Sequence, residues 1–297
     1  MNTRSTAHIA VLTTNLFFAG NLSLVKHISP EKIGPYGLNI VRVGGSLVLF
    51  WLFWFFERNT PAIRRKDLPR LIACGLFGVA INQMLFIKGL TLTSTIHASL
   101  LMMSTPLLIT FFAFWILKER ITLSKVAGLI LGIGGAAMLI LAKEQAGTAS
   151  WRGDMLIVCN AIAYTFYFIL VKPLMQDYPP LQVIRWVFTF GLLFILPFGW
   201  QQFDAVDWSQ SGWSHLTSLA TIVCCGTFLA YSFNAFGIKH LGAGTAGSYI
   251  YTQPLFAAVI ALLFLDERLT TEKLVAGALI FLGVFLASRK VTPPIGD

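Results

Sequence analysis

The chain has 297 residues, of which 56% are hydrophobic and only 12% are charged, and its mean hydropathy is +0.73. A soluble domain carries about 25% charged residues, so this composition excludes an ordinary soluble globule. The net charge of +9 has two possible explanations. Nucleic-acid-binding proteins are basic, but in a membrane protein Lys and Arg collect in cytoplasmic loops and near anionic headgroups. We therefore expect a membrane protein in contact with lipid and with no nucleic-acid partner.

Ten apolar stretches follow one another along the chain, each close to the length of about 20 residues that a helix needs to cross the hydrocarbon. They are 7–28, 34–56, 68–90, 94–117, 122–142, 151–172, 180–200, 213–237, 242–265 and 271–289. The longest hydrophilic interval, 201–212, is too short for a soluble domain. The sequence thus predicts an all-α membrane protein of ten transmembrane helices, with any activity built from the helices themselves.

The basic residues set the expected direction of the spans. If the N-terminus is cytoplasmic, the inside intervals hold fourteen Lys and Arg and the outside intervals hold seven. Cytoplasmic loops carry the excess of basic residues, so we expect both termini in the cytoplasm. The four cysteines lie inside apolar runs without metal-ligand spacing, so we expect no metal site and no cofactor.

The two halves of the chain repeat each other. Cys74-Gly75-Leu76-Phe77 aligns without a gap with Cys225-Gly226-Thr227-Phe228, and Asn39-Ile40-Val41-Arg42 pairs with Gln182-Val183-Ile184-Arg185. Pro106 and Pro254 each precede a Glu-Arg-hydrophobic-Thr turn by 13 residues. Because each half holds five spans, an odd number, the second half enters the membrane from the opposite side. We predict two inverted five-helix repeats, 1–146 and 147–297, which is an arrangement typical of secondary transporters.

This order of motifs resembles the EamA-like branch of the drug/metabolite transporter superfamily over nearly the whole chain. The resemblance implies an inner-membrane carrier, often an exporter of amino acids or other small metabolites, that works by alternating access. The chain departs from the family pattern at one pair of positions, so a role that relatives assign there does not carry over. Many relatives have a glutamate before the fourth-span proline, whereas this chain has Thr105 and Gln253 at those places.

Polar side chains inside lipid-spanning segments are costly and are expected to face a cavity or a partner. Asn160, Tyr164 and Tyr167 recur at i, i+4 and i+7, and Thr227, Tyr231 and Asn234 do the same on span eight. The alternative is that these groups only hydrogen-bond neighbouring helices. As a set they predict a midplane substrate pocket, with the candidate residues Asn15, Gln83, His97, Asn160, Tyr164, Tyr167, Tyr231, Asn234, Tyr251 and Gln253.

Four further residues are candidates for gating. Arg42 and Arg185 lie within spans, where each is expected to act as a gate contact, to bind a solute carboxylate, or to snorkel to the headgroups. Pro106 and Pro254 each free a backbone carbonyl and are candidate hinges. His97 is either a proton relay or a packing residue, and because Asp and Glu stay near span ends, no buried carboxylate relay is expected.

The glycines of spans five and ten, including Gly128, Gly132, Gly277 and Gly283, permit close helix approach, either within one bundle or in a homodimer. No nucleophile elbow, zinc-protease pair or carboxylate dyad is found in the sequence, so an enzyme is not expected. The sequence favours a secondary transporter exporting a small amphipathic solute. A lipid translocator or a channel-like facilitator is the alternative, and the solute, the direction of flux and the coupling ion stay open.

Overall fold

The computed structural model describes residues 3–56, 61–108, 111–112, 123–141, 150–210, 212–241, 246, 249–266 and 268–288. The described chain is helical. We number its apolar helical segments in chain order as α1 Thr3–Ile28, α2 Pro35–Trp54, α3 Arg65–Leu90, α4 Thr95–Leu108, α5 Leu123–Leu141, α6 Trp151–Asp177, α7 Pro180–Asp204, α8 Trp213–Leu241, α9 Tyr249–Phe264 and α10 Thr271–Ser288.

Within the described residues, seven of these helices are long and apolar enough to cross a membrane: α1, α2, α3, α5, α6, α7 and α8. Two others, α4 and α9, are shorter, and the predicted spans 94–117 and 242–265 run partly outside the described residues. The boundary at 146/147, the turn that begins at Glu119, and Glu267 at the start of the second turn also lie outside them. The prediction of an all-helical integral membrane protein is confirmed, whereas the count of ten spans stays a prediction.

Local chemistry explains where several helices begin. Pro35 and Pro180 occupy the first turns of α2 and α7, where a missing N–H costs no helical hydrogen bond. The side chains of Ser94 and Ser150 accept hydrogen bonds from the N–H groups of His97, at 3.1 Å, and Gly153, at 3.2 Å. These two serines therefore cap the starts of α4 and α6.

A π-helical segment interrupts α3 at Leu76–Ile81, and another interrupts α8 at Cys224–Leu229. Both overlap the Cys-Gly-x-Phe stretch that the two halves share. Segments of this kind are rare and occur frequently at functional sites. The sequence match therefore extends to an uncommon local backbone geometry.

Helix packing follows a reciprocal scheme. α2 packs on α7, α4 on α9, and α5 on α10. α1 packs on α8 and α9, and α6 correspondingly packs on α3 and α4. If α1 to α5 are exchanged with α6 to α10 in order, each of these helix pairs becomes another pair that is also in contact.

The glycines predicted to permit close approach join α5 to α10. A Cβ atom added to Gly283 would lie 2.6 Å from the carbonyl oxygen of Gly128, and one added to Gly135 would lie 2.8 Å from that of Ala276. These separations are too short for a side chain, so the glycines bring two helices of one chain together. The homodimer stays a prediction.

Both candidate hinge prolines lie at breaks rather than inside continuous α-helix. In α4 the helix stops at Met102 and resumes at Thr105, directly before Pro106. In α9 a 3₁₀ turn, Tyr249–Thr252, precedes the α-helix Gln253–Phe264, which has Pro254 in its first turn. The carbonyl that Pro106 frees, at Met102, accepts a hydrogen bond of 2.7 Å from the Thr105 hydroxyl.

Candidate functional site

Five polar residues from three helices form what we call the central polar cluster: Asn39 and Arg42 on α2, Gln83 on α3, and Thr227 and Tyr231 on α8. Nε of Arg42 donates to Oγ1 of Thr227 at 2.9 Å, and Nε2 of Gln83 lies 3.4 Å from the Tyr231 hydroxyl oxygen. Nδ2 of Asn39 donates to the backbone carbonyl of Gln83 at 3.3 Å. The cluster joins helices of the first half to a helix of the second.

The π segment of α8 positions Thr227 for this contact. The Thr227 hydroxyl donates to the carbonyl of Ile222 at 3.0 Å, five residues back along the chain, so its lone pair is left to accept from Arg42. The side chain is fully buried. A regular α-helix would present the hydroxyl to the carbonyl four residues back, and the wider turn therefore helps to orient it.

Aromatic rings border the cluster. The ring of Tyr231 makes edge contacts with Phe188, with centroids 5.2 Å apart, and with Phe18, at 5.9 Å. On α6, the rings of Tyr164 and Tyr167 lie 5.6 Å apart. A polar centre with aromatic walls suits an amphipathic solute.

Asn160, the third member of the α6 stripe, bonds to α3. Its Nδ2 donates to the carbonyl of Asn82 at 2.8 Å, and Nδ2 of Asn82 lies 3.3 Å from the carbonyl of Asn160. The ring of Tyr167 packs closely on α3, where a Cβ atom added to Gly78 would lie 2.3 Å from it. This side of the stripe is therefore engaged in helix packing, as the alternative reading of the sequence predicts.

His97 belongs to a different buried group, at the start of α4. Its Nδ1 lies 3.3 Å from Oδ2 of Asp154, and the Thr93 hydroxyl donates to the other carboxylate oxygen. All three residues are at most 2% exposed. Asp154 was not among the candidates from sequence, although its place near the Ser150 cap, in the first turn of a helix, indicated a role there.

Arg185 is as buried as Arg42, at 3% exposed, but its surroundings differ. Its guanidinium carbon lies 4.8 Å from the ring centroid of Trp51 and 5.3 Å from that of Trp54. Indole faces attract a guanidinium. Because both arginines are enclosed by protein, neither snorkels to the lipid headgroups, and that alternative is excluded.

The remaining candidates are not brought into the central polar cluster. Nδ2 of Asn15 donates to the Val11 carbonyl of its own helix at 2.9 Å, and the ring of Tyr251 packs edge-on against Phe281. Gln253 is buried at the start of the α-helical part of α9. Asn234 is half-buried, and no other described residue hydrogen-bonds its side chain.

Two further polar groups lie at opposite ends of the α2–α7 pair. At one end, Oε1 of Gln202 accepts from the N–H groups of Tyr36, at 2.8 Å, and Gly37, at 3.2 Å. At the other end, Arg64 bonds to Asp67, Asp177 and the Tyr178 hydroxyl, and these hydrogen bonds raise the pKa of Arg64. Each group ties a helix of the first half to a helix of the second.

The structure also contains a cavity of about 290 Å³ away from the central polar cluster. It is bordered by α4, α5 and α6 and is almost wholly apolar, with Ser104 as its single hydroxyl-bearing lining residue. Apolar space beside membrane helices suits an alkyl chain rather than a polar metabolite.

A bundle of apolar helices that encloses polar side chains between its two halves is the architecture of a membrane transporter. The model of the EamA-like transporter family matches this chain twice, over residues 5–141 and again over 151–289. The chain therefore belongs to the EamA-like transporter family.

Individual relatives agree with this assignment. An uncharacterized transporter of Bacillus subtilis (strain 168), YetK, is 27% identical over 95% of this chain and 87% of its own length. A probable terminal-alkyne amino-acid exporter of Streptantibioticus cattleyicolor is 28% identical over 76% of this chain and 75% of its own. A solved crystal structure with 18% identity covers 96% of both chains with a TM-score of 0.62, which shows likeness of fold.

Proposed function

We propose that the protein is a secondary transporter that exports small amphipathic metabolites, such as amino acids, across the cytoplasmic membrane by alternating access. The observation that carries this proposal is the central polar cluster, a buried set of hydrogen-bonding groups where α2 and α3 meet α8. Buried polar groups at the junction of two halves are where secondary transporters bind their solutes. The name of the Streptantibioticus relative, an amino-acid exporter, supports the solute class and the direction.

Two inverted five-helix repeats, 1–146 and 147–297, are the structural part of the proposal. Three observations support it: the reciprocal packing of the helices, the π segments that overlap the same motif in α3 and α8, and the two successive matches to one family model. The positive-inside distribution of Lys and Arg supports cytoplasmic termini. With an odd number of spans per repeat, the two copies would face opposite sides of the membrane.

Alternating access in this arrangement would open one end of the α2–α7 pair while the other stays closed. The Gln202 contacts with Tyr36 and Gly37 would hold one end, and the Arg64 group with Tyr178 would hold the other. Exposed ion pairs and single hydrogen bonds are individually weak, so thermal motion is sufficient to exchange them. The breaks beside Pro106 and Pro254 supply places where α4 and α9 can bend.

The cavity between α4, α5 and α6 favours a second candidate, translocation of a lipid. Its lining accepts an acyl chain, and it lies against helices expected to face the membrane. The central polar cluster favours the first candidate, export of a small metabolite, because an alkyl chain cannot form hydrogen bonds with its five polar side chains.

Solute counterflow in proteoliposomes tests the proposal. Purified protein is reconstituted with an internal panel of unlabelled amino acids, amines and carboxylic acids, and uptake of the labelled counterpart is measured. We expect saturable counterflow for amphipathic members of the panel and none in protein-free vesicles. Flux that rises linearly with concentration without counterflow would indicate a channel, and movement of labelled phospholipid alone would establish the second candidate.

A further inference from the structure

Arg42 carries a charge that the described protein leaves without a counter-ion. It lies about 10 Å along α2 from the helix start and is 3% exposed. Nε donates to Thr227, which is neutral, and Nη1 has no hydrogen-bond partner among the described residues. The positive charge is therefore buried and uncompensated.

The helices around Arg42 explain why no carboxylate among the described residues reaches it. α2 packs on α3, α7 and α8. Neither α2 nor α8 contains an Asp or a Glu, and α3 and α7 contain one each, Asp67 and Asp204, at their outer ends. A buried charge is stable when it is paired, so the anion suited to this position is one that arrives from outside the chain.

The neighbouring side chains also keep unused hydrogen-bonding atoms. Asn39 lies three residues before Arg42 and hence on the same face of α2. Oδ1 of Asn39 and Oε1 of Gln83 are buried, and neither has a hydrogen-bond partner among the described residues. One unpaired donor on Arg42 and two unpaired acceptors thus lie within a single connected group.

We propose that Arg42 binds the carboxylate of the transported solute, while the amide oxygens of Asn39 and Gln83 accept from its ammonium group. A guanidinium matches the geometry of a carboxylate and forms charge-assisted hydrogen bonds with it. The acceptors would repel a lone carboxylate but suit a zwitterion, so the solute class is the amino acids. This inference rests on the proposed transport function and specifies its binding site.

Matched solutes test the inference in the counterflow assay. Leucine is compared with isoamylamine, which lacks the carboxylate, and with isocaproate, which lacks the ammonium group; phenylalanine is compared with phenethylamine and hydrocinnamate. We expect flux of an amino acid to exceed that of its amine about thirtyfold or more, as loss of one partner of a buried charge pair implies, and to exceed that of its acid by less. Equal or greater flux of the amines overturns the inference while leaving transport established.

A second measurement does not depend on finding the solute. The Arg42→Met variant removes the uncompensated charge and keeps an apolar side chain of similar length. We expect its Tm, without solute, to rise by about 2–4 °C or more relative to wild type. Arg65→Met, at an exposed position, is the control for loss of a positive charge and should leave Tm unchanged.

The two measurements together separate the possible failures. A lower Tm for Arg42→Met shows that the charge is already compensated inside the protein, and the inference is then wrong whatever the flux data are. A raised Tm together with loss of amino-acid counterflow supports it, and Arg42→Lys, which keeps the charge without the planar fork, should restore part of the flux. Absence of counterflow for every solute in wild type overturns the proposed transport function and this inference with it, whereas a lowered Tm, or equal flux of the amines, overturns the inference alone.

Discussion

Arg42 and Arg185 occupy matching places in the two halves and are equally buried, yet their surroundings are opposite in kind. Two indole rings enclose the guanidinium of Arg185. Arg42 has one neutral hydroxyl and an unpaired nitrogen. The difference shows that a repeated sequence motif does not fix a role: indole rings surround the second copy, whereas a hydroxyl and amide groups surround the first, where we propose that the solute binds.

Removing Arg185 should break this comparison most clearly, because its effect on stability is expected to have the opposite sign to that of Arg42→Met. The Arg185→Met variant loses two cation–π contacts, each worth about 0.5–2 kcal/mol depending on solvation, and should unfold at a lower temperature. Thermal unfolding in detergent measures both variants side by side. If both raise Tm, the two arginines are equivalent and the distinction drawn here is wrong.

Asp154 extends the comparison to an acidic residue, since it is a buried carboxyl group that does have partners. Asp154→Asn keeps the shape but weakens the contacts with His97 and Thr93, and hydrogen bonds to charged groups contribute about 1.5–3 kcal/mol. We expect reduced thermal stability, with the ratio of amino-acid to amine flux unchanged. A changed ratio would place this group in the solute site, and transport with an altered pH profile would instead support His97 as a proton relay.

Tyr231 tests how far the Arg42 region extends. Tyr231→Phe removes the hydroxyl that Gln83 contacts and keeps the ring that packs on Phe188, and a neutral hydrogen bond contributes about 0.5–1.5 kcal/mol. We expect KM for amino acids to rise up to about tenfold, with normal membrane insertion. Asn234→Leu, at the half-buried end of the same stripe, is the matched variant. Unchanged kinetics in both would remove the α8 stripe from the site.

We expect the smallest effect on transport from the candidate hinge prolines, one of which lies in each half. Pro254→Ala restores a backbone donor at the start of the α-helical part of α9 and should stiffen the break. We expect kcat to change about twofold, or less than 1 kcal/mol in activation free energy, while the KM for amino acids stays constant. A pure loss of affinity in pre-steady-state binding would contradict the hinge role.

The helical membrane architecture could be read from the sequence because a bilayer leaves few choices. Long apolar stretches must satisfy their backbone groups internally and therefore form helices, which is why α1, α2, α3, α5, α6, α7 and α8 lie close to their predicted positions. The packing role of Gly128, Gly132 and Gly283 followed from the same local reasoning. The π segments in α3 and α8 did not, since a single extra residue per turn leaves no periodic signal in so short a stretch.

The sequence predicted several residues of the candidate site, but it did not predict which of them lie together. Tyr231 was named from helical spacing and Gln83 as a polar residue within a span, and the two do approach each other. Asn15 and Tyr251 were also named as polar residues within spans, but they contact other residues. Asn39 was missed because a single amide beside a proline-initiated helix start has no distinctive pattern. Spacing along a helix gives the face on which a side chain lies, but not which helix that face meets.

The sequence by itself determined that this protein lies in a membrane, that its polar groups are few and that its halves are related, because hydrophobic transfer and periodicity act on residues close together in the chain. Only the tertiary structure decided which polar groups are satisfied. Hydrogen bonds and cation–π contacts act over a few ångströms between residues far apart in sequence, so the packing of α2 on α7 and α8 had to be known before Arg42 could be distinguished from Arg185.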